Sequence, residues 1–403
     1  MRAPSARMTA LLCLLAALSA CTDRAPGPTG LSISASRSGV PFASGLASPA
    51  WQATAATGAV QAGFAPFTAS RALSLLGVAQ YLAVQRAEGA DGGGGRDQLE
   101  LDRGAVAGAS AVVLTYLFPS QAQAFQDLVA AQATAGPGGQ APHPAFTRGE
   151  SVGRAVGAEI VTRAKGDGFN TPFTGTIPVG SGLWISNTTP ATIAGGQLPT
   201  SLPWFLTSAG QFRPAPPPAF GSAAFTAGLT EIRQMADNRT ADQIQIAAFW
   251  APKASGFWIQ VGTDGINQHG LSEREATHLY ALLSATVYDA FIGCWDTKQT
   301  FWLIRPWQAD LAITTLPSVG KPNHPSYPSG HSCVSSSAAE VLGTFFPEQR
   351  ADLQAMVTEA GLSRMYGGIH YRFDIVAGQA LGRNVAQFTI AADASGNSVL
   401  TPR

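Results

Sequence analysis

Apolar residues in this 403-residue chain return at helical spacing and almost nowhere alternate, which commits the chain to helices before any other feature is weighed. Over residues 67–86, Leu73, Leu76, Val78, Tyr81, Leu82 and Val84 set the pattern, and stretches of the same kind run over 103–118, 121–135, 151–165, 223–236 and 273–291. Between them lie segments dense in Pro and Gly, above all 174–220, expected to be long ordered loops or a small appended subdomain. The glycine quartet 92–95 lacks the Gly-Lys-Ser/Thr continuation of a phosphate loop and reads as a flexible connector. No internal repeat is visible, and the chain reads as a helical protein with extensive loops.

Composition narrows the partners. Lys+Arg 25 are balanced by Asp+Glu 25 and only 12% of residues are charged, so no broad basic surface exists for nucleic acid or an acidic membrane. Gly 44 and Pro 27 are aperiodic, which excludes collagen, and 45% hydrophobic residues exclude a disordered polyelectrolyte. Arg2 and Arg7, the apolar run 8–18 and the small residues before Cys21 have the order of a secretory signal. Leu18-Ser19-Ala20-Cys21 resembles the lipobox of bacterial lipoproteins, in which Cys21 carries lipid. Removing 1–20 takes away two arginines and leaves a formal charge of −2. After residue 20 the nearest approach to a spanning run is about eleven apolar residues at 108–118, so no transmembrane helix is expected. Cys294 and Cys333 are the thiols left to pair, and a disulfide and two separate buried thiols both remain open.

Three histidines of the last third sit among unusual cations. Lys298 and Arg305 flank Phe301-Trp302-Leu303-Ile304 at a separation of two helical turns, and share a face if the helix continues to Pro306. Cations inside so apolar a segment imply an anion to meet them, the alternative being two snorkelling surface side chains. In the run from His324 to Ser332, Ser329 is placed to cap a helix reaching 346, Gly330 lets backbone approach a ligand, and His331 stands at the mouth of an anion-binding helix start. In the run from Ser363 to Asp374, His370 and Asp374 are one turn apart, so the carboxylate can hold one ring nitrogen and leave the other as ligand or nucleophile. Lys298, Arg305 and Arg364 together suit a tetrahedral oxyanion of charge −2 to −3.

Lys298-x6-Arg305-Pro306, Pro328-Ser329-Gly330-His331 and Ser363-Arg364-x5-His370-x3-Asp374, in that order, resemble the signature motifs of the superfamily joining type 2 phosphatidic acid phosphatases, bacterial acid phosphatases and vanadium-dependent haloperoxidases. The stretch 281–383 looks like bacterial members of the haloperoxidase branch, with weaker likeness at 107–119 and at Phe249-Trp250. The resemblance implies an all-α fold of helical bundles, two four-helix-bundle halves with long loops. The division expected is a lipoprotein signal peptide at 1–20, a flexible tether at 21–48, an N-terminal helical half at 49–240 and a C-terminal half at 241–395 that holds the oxyanion site. It further implies vanadate bonded to His370, with Lys298, Arg305, Arg364, Ser329 and Gly330 holding its oxygens, His331 as acid-base group and Asp374 orienting His370. The implied partners are hydrogen peroxide, a halide and a small organic acceptor, with membrane contact only through the lipid on an exported protein.

In a phosphatase the same residues hold a phosphoryl group that His370 attacks, so the motifs do not separate the two activities. The run His370-Tyr371-Arg372-Phe373-Asp374 resembles the His-Trp-Arg-Phe-Asp of haloperoxidases. Trp295 falls near the halide position of chloroperoxidases, or is a packing aromatic. His324 matches a variable residue of the haloperoxidase site, or belongs to a plain His-Pro turn. The expectation is a vanadium-dependent haloperoxidase, with an exported acid phosphatase as the alternative.

Overall fold

A computed structural model of the chain describes residues 45–90, 95–134 and 141–401, and among them are thirteen α-helices, no strand and one isolated bridge, Leu183 to Leu303. The first group is α1 (Ser48–Gln61), α2 (Pro66–Ala90), α3 (Arg96–Leu117), α4 (Ala122–Thr134) and α5 (Pro144–Gly166). A long loop, 167–222, holds only a 3-10 turn at Leu198–Thr200. The second group is α6 (Ala223–Asp237), α7 (Ala241–Trp250), α8 (Ser255–His269), α9 (Glu273–Phe301), α10 (Pro306–Ala309), α11 (Gly330–Phe345), α12 (Arg350–Tyr366) and α13 (Arg372–Ala394). The expected signal, Cys21, most of the tether and most of the glycine quartet lie outside the described residues. Of all these helices α2 alone is long and apolar enough to cross a membrane, and 78% of its most apolar window is buried inside the protein.

The periodic stretches become α2 to α6 and α9, while α1, α7 and α8 carry no comparable sequence pattern. α1 is built mainly of small residues with no sided stripe, and α7 has only ten residues, too few for a period to show. Ser272 and Glu275 start α9 with a reciprocal capping box. From Ala276 to Lys298 nearly every α9 side chain is buried, against α2 on one side and α11 and α13 on the other. A helix this apolar all round belongs at the centre of a bundle.

The expected helix to Pro306 is corrected by the structure. α9 stops at Phe301, Trp302 turns left-handed at φ 48, and Arg305 is extended at φ −79, ψ 153. A proline disfavours helical backbone in the residue before it, which accounts for Arg305. Lys298 and Arg305 therefore reach one place from a helix and a strand-like segment, not from a single helical face.

Helices touch backbone to backbone through glycine, most closely in the pairs α3–α5 and α11–α13. In α3 and α5, a Cβ on Gly104, Gly149 or Gly153 would lie 2.0, 1.9 or 2.0 Å from the carbonyl oxygen of Phe146, Leu101 or Ala105. In α11 and α13, a Cβ on Gly378 would meet the Ser329 carbonyl at 2.7 Å, and one on Gly382 the Cys333 carbonyl at 2.3 Å. The second pair seats the start of α13 on the start of α11, where the candidate residues lie. Buried Asp289 of α9 accepts the backbone N–H of Trp204, Phe205 and Leu206 at 2.8, 2.7 and 3.0 Å, which pins the long loop to the central helix.

Alanine has the higher helix propensity, by about 1 kcal/mol, yet Gly153→Ala should destabilise because the clash costs roughly 1–3 kcal/mol or more. A fall of several degrees in the melting temperature is expected, and an unchanged or raised value would contradict this packing. Asp102 tests a second feature of the same half. Burial pushes it up to about 7, against the donation from Gln98, with nearby Glu273 adding to the rise. A carboxyl that binds its proton more tightly in the folded state stabilises below its unfolded value, and the contribution is lost as pH rises through about 7. Asp102→Asn should therefore melt above the parent protein at pH 8, and the gain should shrink as pH falls toward about 4. A pH-independent difference would contradict it.

Candidate active site

Lys298, Arg305 and Arg364 converge at the junction of α9, α11, α12 and α13, and each is almost wholly buried. Among the described residues none of the three has a carboxylate within ion-pair distance. The Lys298 ammonium spends its three protons on the carbonyls of Pro325 (2.8 Å), Ser326 (3.0 Å) and Pro328. Arg305 donates from Nε to the His324 carbonyl at 3.0 Å and from Nη1 to the Ile369 carbonyl at 2.7 Å. Two further donors meet ring nitrogens, Nη1 to His370 Nε2 at 3.1 Å and Nη2 to His324 Nδ1 at 3.0 Å. Arg364 Nε and Nη1 have no protein partner although both are buried. Burial lowers all three cations, Lys298 to about 8, Arg305 to about 9 and Arg364 to about 10.

Across the junction Asp374 Oδ2 accepts from Ser326 Oγ (2.6 Å), His370 Nδ1 (2.8 Å) and the Tyr371 amide (3.2 Å). Burial raises Asp374 to about 6, while Ser326, Lys298 and Arg305 pull the other way. The carboxylate fixes the His370 tautomer, because Nδ1 carries the proton and Nε2 keeps its lone pair. That lone pair now receives the Arg305 proton. The Ser329 amide donates to the Asp374 carbonyl at 3.0 Å, which joins the second motif to the third through backbone.

Ser329 caps α11, its hydroxyl accepting from the Ser332 amide at 3.4 Å, and a helix start leaves its first amides without partners inside the helix. His331, half-buried, bonds through Nε2 to the Trp250 carbonyl at 3.1 Å. A carbonyl only accepts, so Nε2 carries the proton and Nδ1 is the nitrogen left to exchange one. His324, His331 and His370 are all pushed well below the ordinary histidine value, by burial first and by the neighbouring cations next. They are therefore neutral at pH 7.

Trp295 and His324 also meet here, with ring centroids 4.8 Å apart, and Lys298 Nζ lies 5.6 Å from the Trp295 ring. The Trp295 N–H is spent on the Ala194 carbonyl at 2.8 Å. Asn323 stitches that loop to the His324 turn, accepting the Asn187 amide at 2.7 Å on its side chain and the Ala194 amide at 2.9 Å on its carbonyl. Cys294 and Cys333 are both buried and free. All the expected site residues from Trp295 to Asp374 thus gather in one place, and Cys21 lies outside the described residues.

Three participants carry no sequence signal of their own. The Trp250 carbonyl acts through backbone, which residue type does not reveal. Ser326 lies inside His324-Pro-Ser-Tyr-Pro328, and its bond to Asp374 spans a separation no pattern marks. Glu359, buried on α12, accepts from Trp250 Nε1 at 2.9 Å and so steadies the residue that holds His331. A solvent-free arginine with two orphaned donors, the lone pair of an oriented histidine and a free helix start all call for a small tetrahedral oxyanion.

Residues 276–394 match the model of the PAP2 superfamily, and the described residues have the helical fold of the vanadium-dependent haloperoxidases. A bacterial vanadium-dependent iodoperoxidase superposes with a TM-score of 0.70 at 24% identity, covering 85% of this chain and 95% of that one. A bacterial vanadium-dependent chloroperoxidase in its apo form gives 0.67 at 13% identity over 82% of this chain and 94% of its own, and the holo form 0.64 at 14% over 84% and 94%. By sequence the chain is similar to a non-specific acid phosphatase of Providencia stuartii, 26% identical over 166 residues, which is 40% of this chain and 66% of that protein, just short of two thirds of its length.

Arg364→Met separates fold from function. Replacing an unpaired buried guanidinium by an apolar side chain should stabilise the apoprotein, by about 1–3 kcal/mol, while weakening oxyanion binding at least tenfold. Thermal melting and titration with orthovanadate or phosphate read the two effects, and a variant that melts lower with unaltered anion affinity would contradict the assignment.

Proposed function

We propose that the chain is a vanadium-dependent haloperoxidase, which uses hydrogen peroxide to oxidise a halide that then halogenates a small organic acceptor. The observation that carries the reading is the orphaned, buried Arg364 beside the Nε2 lone pair of a carboxylate-held His370. Support for peroxidase over phosphatase comes from the solved structures whose fold the chain matches over more than four fifths of its length, which are vanadium-dependent haloperoxidases. The Trp295 and His324 rings beside Lys298 and Arg305 add to it, since they make one side of the cation site aromatic rather than open.

Vanadate fits this donor set as an oxyanion held by one nitrogen and several charged donors. Among the described residues no three His, Cys, Asp or Glu side chains form a cage for a bare cation. His370 Nε2 would hold the vanadium, Arg364 and Arg305 its oxygens, and the Ser329 hydroxyl and Gly330 amide a further oxygen. Arg305 is positioned to exchange its His370 contact for an oxygen of the ligand. Lys298 contributes its charge from behind the 325–328 turn, and engages an oxygen directly only by giving up one of three carbonyls. When bound, vanadate supplies a Lewis acid that polarises peroxide toward halide attack. His331 Nδ1 takes and returns the peroxide proton, with Nε2 anchored to Trp250. Its low proton affinity keeps it in the base form at rest.

A second reading, phosphomonoester hydrolysis, is favoured by the acid phosphatase likeness and by the same Nε2, which is then the nucleophile. Export, lipid attachment at Cys21, the tether to residue 48 and the division into halves at 49–240 and 241–395 belong to the proposal and rest on the sequence. One paired assay separates the activities: apoprotein with and without orthovanadate, tested for iodide-, bromide- and chloride-dependent oxidation of a phenol by peroxide, beside aryl phosphate hydrolysis at about pH 5–7. Vanadate-dependent halide oxidation is expected. Phosphate hydrolysis that vanadate inhibits, with no halide oxidation, would replace this reading by the second.

A further inference from the structure

Directly under the cation site lies a pair of thiols that the chemistry above does not use. Cys294 sits one turn before Lys298 on α9, and Cys333 one turn after Ser329 on α11, and these two helices pack together. Both residues are fully buried. Cys294 Sγ is 3.9 Å from the Pro328 carbonyl, one residue before the α11 cap, and the two thiols are near enough for each to alter the acidity of the other. That carbonyl is one of the three that hold the Lys298 ammonium. The pair thus touches the turn that leads into Ser329 and Gly330.

We propose that Cys294 and Cys333 form a dithiol that hydrogen peroxide closes to a disulfide across the α9–α11 contact, and that closure weakens oxyanion binding at the site above it. The nearness of the two thiols rests on the α9–α11 packing, and only the presence of peroxide as oxidant rests on the proposed function. Burial raises the Cys294 thiol, but Cys333, Lys298 and Arg305 outweigh it and leave Cys294 below the ordinary thiol value. Cys294 is the sulfur disposed to attack first. Its thiolate bonds one peroxide oxygen as the O–O bond breaks, and the departing hydroxide takes a proton to become water. The second sulfur displaces the resulting sulfenic hydroxyl, which leaves as a second water. Two thiols and one hydrogen peroxide give one disulfide and two waters, with two electrons passing from sulfur to oxygen.

A disulfide holds its sulfurs at about 2.05 Å, well inside the contact distance of two thiols. Cys294 must then turn from Pro328, and the starts of α11 and the Lys298 turn move with it. Displacements of this kind at an ordered site cost about tenfold or more in function.

The test uses the full chain, reduced and freed of reductant, then exposed to hydrogen peroxide, alkylated, digested and mapped by mass spectrometry. A cross-linked peptide joining residues 294 and 333 is expected, absent from Cys333→Ala and reversed by thiol reductant. Orthovanadate titration of the same samples should show about tenfold weaker binding after oxidation of the parent protein and no change in Cys333→Ala. Both cysteines recovered alkylated, or singly oxidised without a cross-link, would overturn the proposal. A cross-link with unchanged vanadate affinity would overturn its effect on the site. Loss of the haloperoxidase reading alone would leave the peptide map as predicted.

Discussion

Three cations removed from water at a single junction of helices are the constraint on which the C-terminal helices depend. Burying a cation without a paired counter-ion costs several kcal/mol, and here it is done three times within a chain that is 12% charged. Backbone carbonyls offset part of the cost for Lys298 and Arg305, and Asp374 lies near both, but Arg364 keeps two orphaned donors. An anion completes the set. The site is thus stored electrostatic free energy, held until an oxyanion of the right size displaces the Arg305 proton from His370.

Holding that arrangement requires rigidity, and the scaffold supplies it through close approach. α13 reaches α11 over Gly378 and Gly382, so the His370–Asp374 end of one helix meets the Ser329–His331 end of the other with no side chain between. The Ser329 amide and Ser326 hydroxyl then bind Asp374 from the α11 side. Asp289 and Trp295 anchor the long loop to α9, and Asn323 carries that anchorage to His324. The long loop is therefore ordered by the central helix that also carries Lys298.

Much of this was legible in the sequence, and what was not has physical causes. Helical period gave α2 to α6 and α9 because their apolar faces are sided or continuous. It missed α1, whose buried face of mostly small residues is hardly more apolar than its exposed one, and α7, which is too short. The site residues were legible because charge and histidine are rare in this chain and stand out against apolar neighbours. Their mutual geometry was not. Pro306 made Arg305 extended where a continuous helix was expected, the Trp250 carbonyl acts through an atom every residue has, and the bond of Ser326 to Asp374 joins segments 48 residues apart. The α3–α5 glycines escaped for a similar reason, since a glycine's value there lies in what the other helix brings against it.

A crystal structure of the protein grown with orthovanadate would test the central claim most directly, with the vanadium located by its anomalous scattering. The account predicts vanadium bonded to His370 Nε2, Arg305 Nη1 donating to a vanadate oxygen in place of that nitrogen, and the two orphaned Arg364 donors on other oxygens. Vanadium absent from the junction, with the 3.1 Å contact between Arg305 and His370 intact, would contradict it.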